Sequence, residues 1–281
     1  MITSEVENYP GFPEGIQGPE LMERFRKQAE RFGAEILDAD ATQVNLTKRP
    51  FVVKVGKDTQ YTADALILAS GANAKWIGLP SELRLRGKGV SACATCDAFF
   101  FKDKDVVVVG GGDTAMEEAL FLTKFANHVT VVHRRDKLRA SKIMQEKAIS
   151  NPKISFIWDS IVTDVFGSKS VEGVALKNLV SRKEMNLVCQ GMFIAIGHEP
   201  ASSLFKGQIE MNEQGYLKVV DHTRTNVEGV FVAGDVHDYR YRQAVTAAGF
   251  GCEAALDAEK YLEGFSPEEK GLLKVAGRAS H

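Results

Sequence analysis

Residues 105–135 read DVVVVGGGDTAMEEALFLTKFANHVTVVHRR, and this stretch constrains the fold more than any other part of the chain. An apolar run of strand length leads into a glycine-rich turn, a helix-forming segment and a second strand, VTVV. The turn has the spacing G-x-G-x-x-A at Gly110, Gly112 and Ala115. Such a turn lets backbone approach a diphosphate and lets helix and sheet pack closely. The pattern predicts a βαβ dinucleotide-binding unit, and an ordinary glycine-rich loop is the alternative.

The end of the second strand indicates which dinucleotide would bind. A site for NAD carries an acidic residue there, which binds the ribose hydroxyls. This chain instead has His133, Arg134 and Arg135, with Arg139 four residues later. Guanidinium groups bind a 2′-phosphate, which a carboxylate would repel. We therefore expect NADP(H), with a solvated charged surface as the alternative.

The length of 281 residues suggests about two domains. Pro19 suits a first helical turn and Gly33 a C-cap, so a helix is predicted over 19–33. The stretch around Leu85–Gly89 turns to Arg, Gly and Lys, which is typical of a linker. Apolar runs predict strands at 51–55, 65–70, 154–158, 192–197 and 229–235, and a helix at 244–262.

Two cysteines stand close together, Cys93 and Cys96, with Asp97 next in sequence. A structural zinc site usually needs two close pairs, and Cys189 and Cys252 are single. A static disulfide is disfavoured in a reducing compartment. A redox pair remains, since C-x-x-C suits reversible exchange and Asp97 could move the proton. Such a pair beside a hydride-donor domain needs a relay, and flavin is the usual one.

The composition narrows the class of protein further. The net charge is −2, which gives no electrostatic support for binding nucleic acid or a membrane surface. No apolar run approaches the ~20 residues of a membrane span, and the polar start MITSEVENYP is unlike a signal peptide. We expect a cytoplasmic protein.

Taken together, these motifs identify the chain as similar to the low-molecular-weight thioredoxin reductases, over essentially its whole length. The matching segments are VENYPGF at 6–12, ACATCD at 92–97, GGGDTAMEEA at 110–119, HRRDKLRA at 133–140, AIGHEP at 195–200, TNVEGVFVAGDV at 225–236 and YRQAVTAAGFG at 241–251.

The resemblance implies an α/β fold of two Rossmann-like dinucleotide-binding domains, one inserted in the other. The FAD-binding domain would be discontinuous, residues 1–87 and 219–281, and the NADPH-binding domain would be residues 88–218 and carry the redox cysteines. It also implies a homodimer, a thioredoxin substrate, and two alternating domain arrangements.

The resemblance also implies roles for individual residues. Cys96 would take electrons from the flavin, Cys93 would exchange with the partner's disulfide, and Asp97 would act as acid and base. The NADPH site would be formed by Gly110, Gly112, Asp113, Thr114, Ala115, Glu117, His133, Arg134, Arg135, Arg139, Ile196 and Gly197. The FAD site would be formed by Asn8, Asp235, Val236, Arg242, Gln243 and Ala244.

This sequence departs from the family pattern in two places. Ala98 stands where the family usually has glycine, and only MITSE precedes VENYPGF, where the family has its own strand–GxGxxG–helix unit for FAD. We therefore expect an incomplete FAD-binding domain. Two alternatives stay open: a reductase of another disulfide partner, such as a glutaredoxin-like or peroxidase-linked protein, and a flavin-free NADP(H)-binding fragment.

Overall fold

The computed structural model describes residues 5–57 and 59–265. The chain forms two units, the first from Met1–Ala29 and Ala74–Gly197 and the second from Glu30–Asn73 and His198–His281. Most of the first unit is thus inserted between the two chain segments of the second. Within the described ranges, no helix combines the length and apolar character that crossing a membrane requires.

The helices and strands of the described residues are numbered in chain order. The helices are α1 (Gly18–Arg31), α2 (Pro80–Leu85), α3 (Ala94–Asp97), α4 (Asp113–Leu122), α5 (Lys142–Ile149) and α6 (Ala244–Glu263). The strands are β1 (Glu5–Val6), β2 (Ile16–Gln17), β3 (Ala41–Asn45), β4 (Phe51–Val55), β5 (Thr59–Ala63), β6 (Leu66–Leu68), β7 (Ala72–Ala74), β8 (Val90–Ser91), β9 (Asp105–Gly110), β10 (His128–Val132), β11 (Ile154–Ile157), β12 (Ser160–Phe166), β13 (Gly173–Asn178), β14 (Glu184–Val188), β15 (Gly191–Ala195), β16 (His198–Pro200) and β17 (Val230–Val232).

The first unit is built on a parallel sheet of five strands in the order β11-β10-β9-β15-β8. Strand β9 lies at its centre, which explains its unbroken valine run, since a parallel strand is covered on both faces. Successive side chains of a strand point to opposite faces. Val106 and Val108 accordingly pack with α4 residues such as Met116, while Val107 packs on the other face.

The opposite face of this sheet is covered by an antiparallel sheet in the order β12-β13-β14. Val174 and Leu176 of β13 pack there with Val107 and Met192. The first unit therefore has three layers, helix, parallel sheet and antiparallel sheet. The short β1–β2 pair and α1 form a smaller cluster around the fully buried Leu21.

The second unit repeats the layer order on a smaller scale. Strands β6 and β17 pair in parallel, and the antiparallel sheet β3-β4-β5 packs on one side of them through residues such as Val44 and Phe51. Helix α6 lies on the other side, where Ala254 and Ala258 contact Phe231. The parallel pair is therefore enclosed between a helix and an antiparallel sheet.

The α/β fold class with Rossmann-like units is confirmed, and so are the predicted helices at 19–33 and 244–262 and all five predicted strands, within a few residues at their ends. The stretch predicted as a linker instead ends α2 and forms a turn, with Leu85 fully buried in the first unit's core. The predicted boundaries at 87/88 and 218/219 separate an FAD-binding domain from an NADPH-binding domain, and they stay a prediction.

Candidate functional site

The two cysteines of the C-x-x-C motif are joined in a disulfide on one short turn of the first unit. Their Cα atoms lie 5.3 Å apart. Cys93 immediately precedes α3, and Cys96 lies within that helix. Both residues are half-buried, whereas Thr95 between them is exposed and has its Oγ1 3.3 Å from Cys93 Sγ. The disulfide is thus held on a turn that reaches the surface.

Asp97, the acid–base residue that the resemblance implies, is the last residue of α3. Its backbone N–H donates to the carbonyl oxygen of Cys93 over 3.2 Å, so its carboxyl group is carried on the same turn as the disulfide. Burial raises the pKa of Asp97 above its ordinary value, and a hydrogen bond from Ser91 works in the opposite direction. A carboxyl group with a raised pKa exchanges its proton closer to neutral pH, which suits thiol chemistry.

Ser91 was missed by the sequence reasoning. It ends β8, is 4% exposed, and its hydroxyl donates to Asp97 Oδ2 over 2.5 Å. Ser91 Oγ in turn accepts a hydrogen bond from the backbone N–H of Cys93 over 3.1 Å. A serine at the end of a strand carries no signal of this role. The contact exists only because β8 and α3 meet at the disulfide turn.

The glycine turn of the nucleotide motif joins β9 to α4, and its glycines differ in how much space surrounds them. A methyl group added at Gly110 would overlap the carbonyl oxygen of Ala195 and come 2.7 Å from Ala115 Cβ. One added at Gly111 would overlap the His133 ring. One added at Gly112, which caps α4, would meet nothing within 4 Å. The first two glycines therefore allow close packing, and Gly112 leaves open space at the helix N-terminus, where a diphosphate can bind.

The predicted 2′-phosphate residues lie directly beside this turn. Strand β10 pairs in parallel with β9, so the loop after β10 emerges at the same edge of the sheet. The N–H of Arg139 donates to the carbonyl oxygen of Gly111 over 2.7 Å and ties the loop to the glycine turn. Arg134, Arg135 and Arg139 are all exposed. The structure therefore brings three guanidinium-bearing residues and the glycine turn to one edge.

His133 occupies a different position from its arginine neighbours. It is 5% exposed, and its Nε2 lies 3.0 Å from the carbonyl oxygen of Lys137. Burial lowers its pKa, and the positive charges of Arg139 and Arg135 act in the same direction. The ring packs beneath the loop that carries the arginines. Contact of His133 with the nucleotide stays a prediction.

The other residues of the predicted NADPH site lie on α4 or directly after β15. Ala115 is fully buried between α4 and the sheet, and Asp113 Oδ1 accepts the N–H of Ser141 over 2.8 Å. Thr114 is half-buried and Glu117 exposed on α4. Ile196 and Gly197 follow β15, which is the other neighbour of β9.

Most of the predicted FAD residues lie in the second unit, around the start of α6. Asp235 is in a short 3-10 turn after β17, and its Oδ1 is buried without a hydrogen-bond partner. Burial raises the pKa of this carboxyl group, as does the charge of Asp238. Val236 is buried beside it, whereas Asn8 belongs to the first unit and is exposed. A ligand hydroxyl group is the kind of donor that Asp235 Oδ1 would accept.

The loop that leads into α6 is organised by Asp238. Its carboxylate accepts the N–H groups of Arg240, Tyr241 and Arg242 at 2.9 to 3.0 Å. Gln243 and Ala244 follow, as the cap and first residue of α6. These contacts fix the backbone from which three predicted FAD residues project.

A contact from β16 to this loop was also missed. Arg242 adopts a left-handed backbone conformation, φ 51°, and its Nη1 lies 3.1 Å from Nδ1 of His198. Burial lowers the pKa of His198 to about 4, and the Arg242 charge lowers it too. A neutral imidazole can accept from the guanidinium group at Nδ1. His198 therefore holds the side chain of a predicted FAD residue.

Comparisons with known proteins agree with this geometry. The profile of the family described as "Pyridine nucleotide-disulphide oxidoreductase" matches residues 1–251. The chain is 55% identical to a thioredoxin reductase of Streptomyces coelicolor over 96% of its length and 84% of the relative's. It is also 55% identical to a thioredoxin reductase of Rickettsia conorii, over 93% of its length and 86% of the relative's.

Solved structures give the same picture. A thioredoxin reductase from Giardia duodenalis superposes with a TM-score of 0.89 at 46% identity, covering 93% of this chain and 86% of the other. One from Streptococcus pyogenes also has a TM-score of 0.89, at 39% identity, covering 94% of this chain and 86% of the other.

Proposed function

Because this chain belongs to the pyridine nucleotide-disulphide oxidoreductases, and within them to the thioredoxin reductases, we propose that it reduces the disulfide of a thioredoxin with electrons from NADPH. The enzyme is an oxidoreductase. The observation that carries the proposal is the Cys93–Cys96 disulfide with the carboxyl group of Asp97 on the same turn. This turn belongs to the same unit as the glycine turn and its arginine loop.

NADPH would be held at the edge formed by the loops after β9 and β10. The open space at Gly112 and the N-terminus of α4 suit the diphosphate, because backbone N–H groups and the helix dipole favour an anion there. The exposed Arg134, Arg135 and Arg139 suit the 2′-phosphate, which guanidinium groups bind by charge-assisted hydrogen bonds.

The described residues of the second unit fit part of an FAD site. Asp235 Oδ1 is a buried acceptor that lacks a protein donor, and the loop held by Asp238 presents Arg242 and Gln243 beside the N-terminus of α6. When bound, FAD would supply the relay between a two-electron hydride donor and a disulfide. Residues Asn8, Asp235, Val236, Arg242, Gln243 and Ala244 would hold it.

The cysteines would carry out the exchange with thioredoxin. Opening the Cys93–Cys96 disulfide takes two electrons and two protons and yields two thiols. The Cys93 thiolate then attacks the partner's disulfide, forms a mixed disulfide and releases one partner sulfur. The Cys96 thiolate attacks Cys93 Sγ, which restores the internal disulfide and releases the second partner sulfur. Asp97 would hold and return the protons that these thiolates gain and lose.

The proposal extends to organisation and location. We assign FAD binding to residues 1–87 and 219–281 and NADPH binding to residues 88–218, as the family resemblance implies. A homodimer and a cytoplasmic location belong to the same proposal. The 55% identity to two named thioredoxin reductases supports them.

Replacing Cys96 tests the function. With FAD supplied, we expect Cys96→Ser to lower NADPH-dependent thioredoxin reduction below detection and to leave NADPH binding unchanged, because the nucleotide site is untouched. Cys252→Ser is the matched control, since Cys252 is an exposed free cysteine of α6. Undiminished turnover by Cys96→Ser would refute the assignment. Parallel assays with a glutaredoxin disulfide show whether the acceptor is thioredoxin.

A further inference from the structure

We infer that Ser91 is a positioning residue for Asp97: its hydroxyl group holds the carboxyl group against the disulfide turn in both protonation states. The inference rests on the proposed function, because it concerns the acid–base group of that reaction. It adds a residue whose side chain contacts Asp97 and the backbone of Cys93.

The geometry gives Ser91 three contacts at the turn. Its Oγ lies 2.5 Å from Asp97 Oδ2, 3.1 Å from the backbone nitrogen of Cys93 and 3.5 Å from the carbonyl oxygen of Cys93. The Cys93 N–H can only donate, so the oxygen of Ser91 accepts there. The single hydroxyl proton is then left for the carboxylate of Asp97.

The third contact matters when Asp97 takes up a proton. A protonated carboxyl group becomes a donor, and Ser91 Oγ can accept from it while its own proton turns toward the carbonyl oxygen of Cys93. A backbone N–H in the same place could donate to the carboxyl group but could not accept from its protonated form. An acid–base residue must pass through both forms in each cycle, and a hydroxyl group is a partner for both.

The surroundings of Asp97 make this contact consequential. Burial raises its pKa, and the hydrogen bond from Ser91 lowers it. The helix packed against α3 presents the buried Ala115, Met116 and Ala119 to the cluster that contains Ala94 and Ala98. The titratable neighbours on the turn are Cys93 and Cys96, which do not titrate while they form the disulfide.

Removing the hydroxyl group of Ser91 should therefore raise the pKa of Asp97. The hydrogen bond from Ser91 to the charged carboxylate is stronger than its bond to the neutral carboxyl group. In Ser91→Ala the charged form therefore loses more than the neutral form while the burial remains, so the pKa of Asp97 rises above the wild-type value. Ser91→Thr keeps a hydroxyl group and should restore the wild-type pKa. Ser160→Ala is the matched control, since Ser160 is also a buried serine of the first unit, with its hydroxyl donating to the carbonyl oxygen of Trp158 over 2.8 Å.

The experiment is a titration by ¹³C NMR of the full chain labelled at aspartate Cγ, in the oxidised state, with Asp97→Asn used to assign the signal. We expect a raised pKa for Ser91→Ala and wild-type values for Ser91→Thr and Ser160→Ala. An unchanged or lowered pKa in Ser91→Ala overturns the inference. If Ser91→Ala does not fold, Ser91→Gly, which also lacks the hydroxyl group, takes its place with the same two outcomes.

A double-mutant cycle separates positioning from a merely structural role. We expect Ser91→Ala to lower thioredoxin reduction by roughly tenfold to a hundredfold, as the loss of a hydrogen bond to a charged group implies. In an Asp97→Asn background the same change should have no further effect, because Ser91 acts through the carboxyl group. An equal loss in both backgrounds overturns the inference. A chain that fails to reduce thioredoxin while its Asp97 pKa still responds to Ser91 would refute the function and leave the contact standing.

Discussion

The two units have the same layers but differ in their parallel sheets. In the first unit β9 is paired on both sides, with β10 and β15, in a sheet of five strands. In the described part of the second unit the parallel sheet has two strands, β6 and β17. Ile67 of β6 is 41% exposed, whereas Val107 and Val108 of β9 are fully buried. Nucleotide sites form from loops at the carboxyl ends of adjacent parallel strands. A sheet with more parallel strands therefore provides more loops that can contact a nucleotide.

The long helix of the second unit shows the same difference. Helix α6 has 20 residues, of which Ala254 and Ala258 are buried, while Val245 and Leu256 are exposed. In α4, four of ten residues are buried, because the helix packs against the central strands β9, β10 and β15 of the five-stranded sheet. The described residues thus enclose the proposed NADPH site more than the proposed FAD site.

The largest expected effect of this difference is on nucleotide affinity. The 281-residue polypeptide should bind NADP⁺ more tightly than FAD, by a factor of about a hundred or more in the dissociation constant. The first unit supplies the glycine turn, the α4 N-terminus and three arginines, and each charge-assisted contact contributes roughly 1.5–3 kcal/mol. Calorimetric titration with each nucleotide measures both constants. A polypeptide of this length that purifies with stoichiometric flavin absorbance would contradict the prediction.

The arginine loop can be tested one residue at a time. Arg135→Ala or Arg139→Ala should weaken NADPH by about tenfold or more and leave NADH nearly unaffected, because only the 2′-phosphate is lost as a partner. Arg182→Ala is the matched control, since Arg182 is an exposed arginine in the turn between β13 and β14 of the same unit. Equal wild-type affinity for NADPH and NADH at moderate salt would show that the loop does not read the phosphate.

Substituting alanine at two glycines of the same turn should affect the stability of the fold differently. Gly110→Ala would overlap the backbone of β15 and should destabilise the fold by about 1–3 kcal/mol, as overpacking does. Gly112→Ala meets open space and should keep the wild-type free energy of unfolding while it weakens NADPH. Urea denaturation and nucleotide titration of both variants make the comparison. Comparable destabilisation by the two changes would argue against the open site at Gly112.

The smallest effect concerns pH and the second unit. The pKa of His198 is lowered to about 4 in the folded chain, so between pH 6.5 and 4 the unfolded state binds more protons. Stability contributed by neutral His198 is therefore present above pH 6.5 and is lost as pH falls toward 4, by about 1 kcal/mol once solvent screening is allowed for. His198→Asn should flatten this part of the profile in denaturation measured from pH 4 to 7. A profile identical to that of the wild type would show that His198 does not contribute.

The sequence predicted the features that depend on local pattern. The strand β9, the glycine turn and the helix at 244–262 depend on residues that are neighbours in sequence, and the structure confirms them. Contacts between segments that are distant in sequence could not be predicted from local pattern. The Arg242–His198 hydrogen bond, for example, joins residues 44 positions apart. The prediction of a linker around Leu85–Gly89 was wrong. The stretch is polar in composition, but Leu85 packs into the core beside β9.

That electrons from NADPH open the Cys93–Cys96 disulfide is tested most directly by trapping thiols. The chain, supplied with FAD under anaerobic conditions, is alkylated before and after addition of NADPH, and the labelled peptides are identified by mass spectrometry. We predict that Cys93 and Cys96 are labelled only after NADPH is added, while the exposed Cys252 is labelled in both samples. A Cys93–Cys96 peptide that keeps its disulfide while NADPH is consumed would show that the electrons leave by another route, and the proposed function would be wrong.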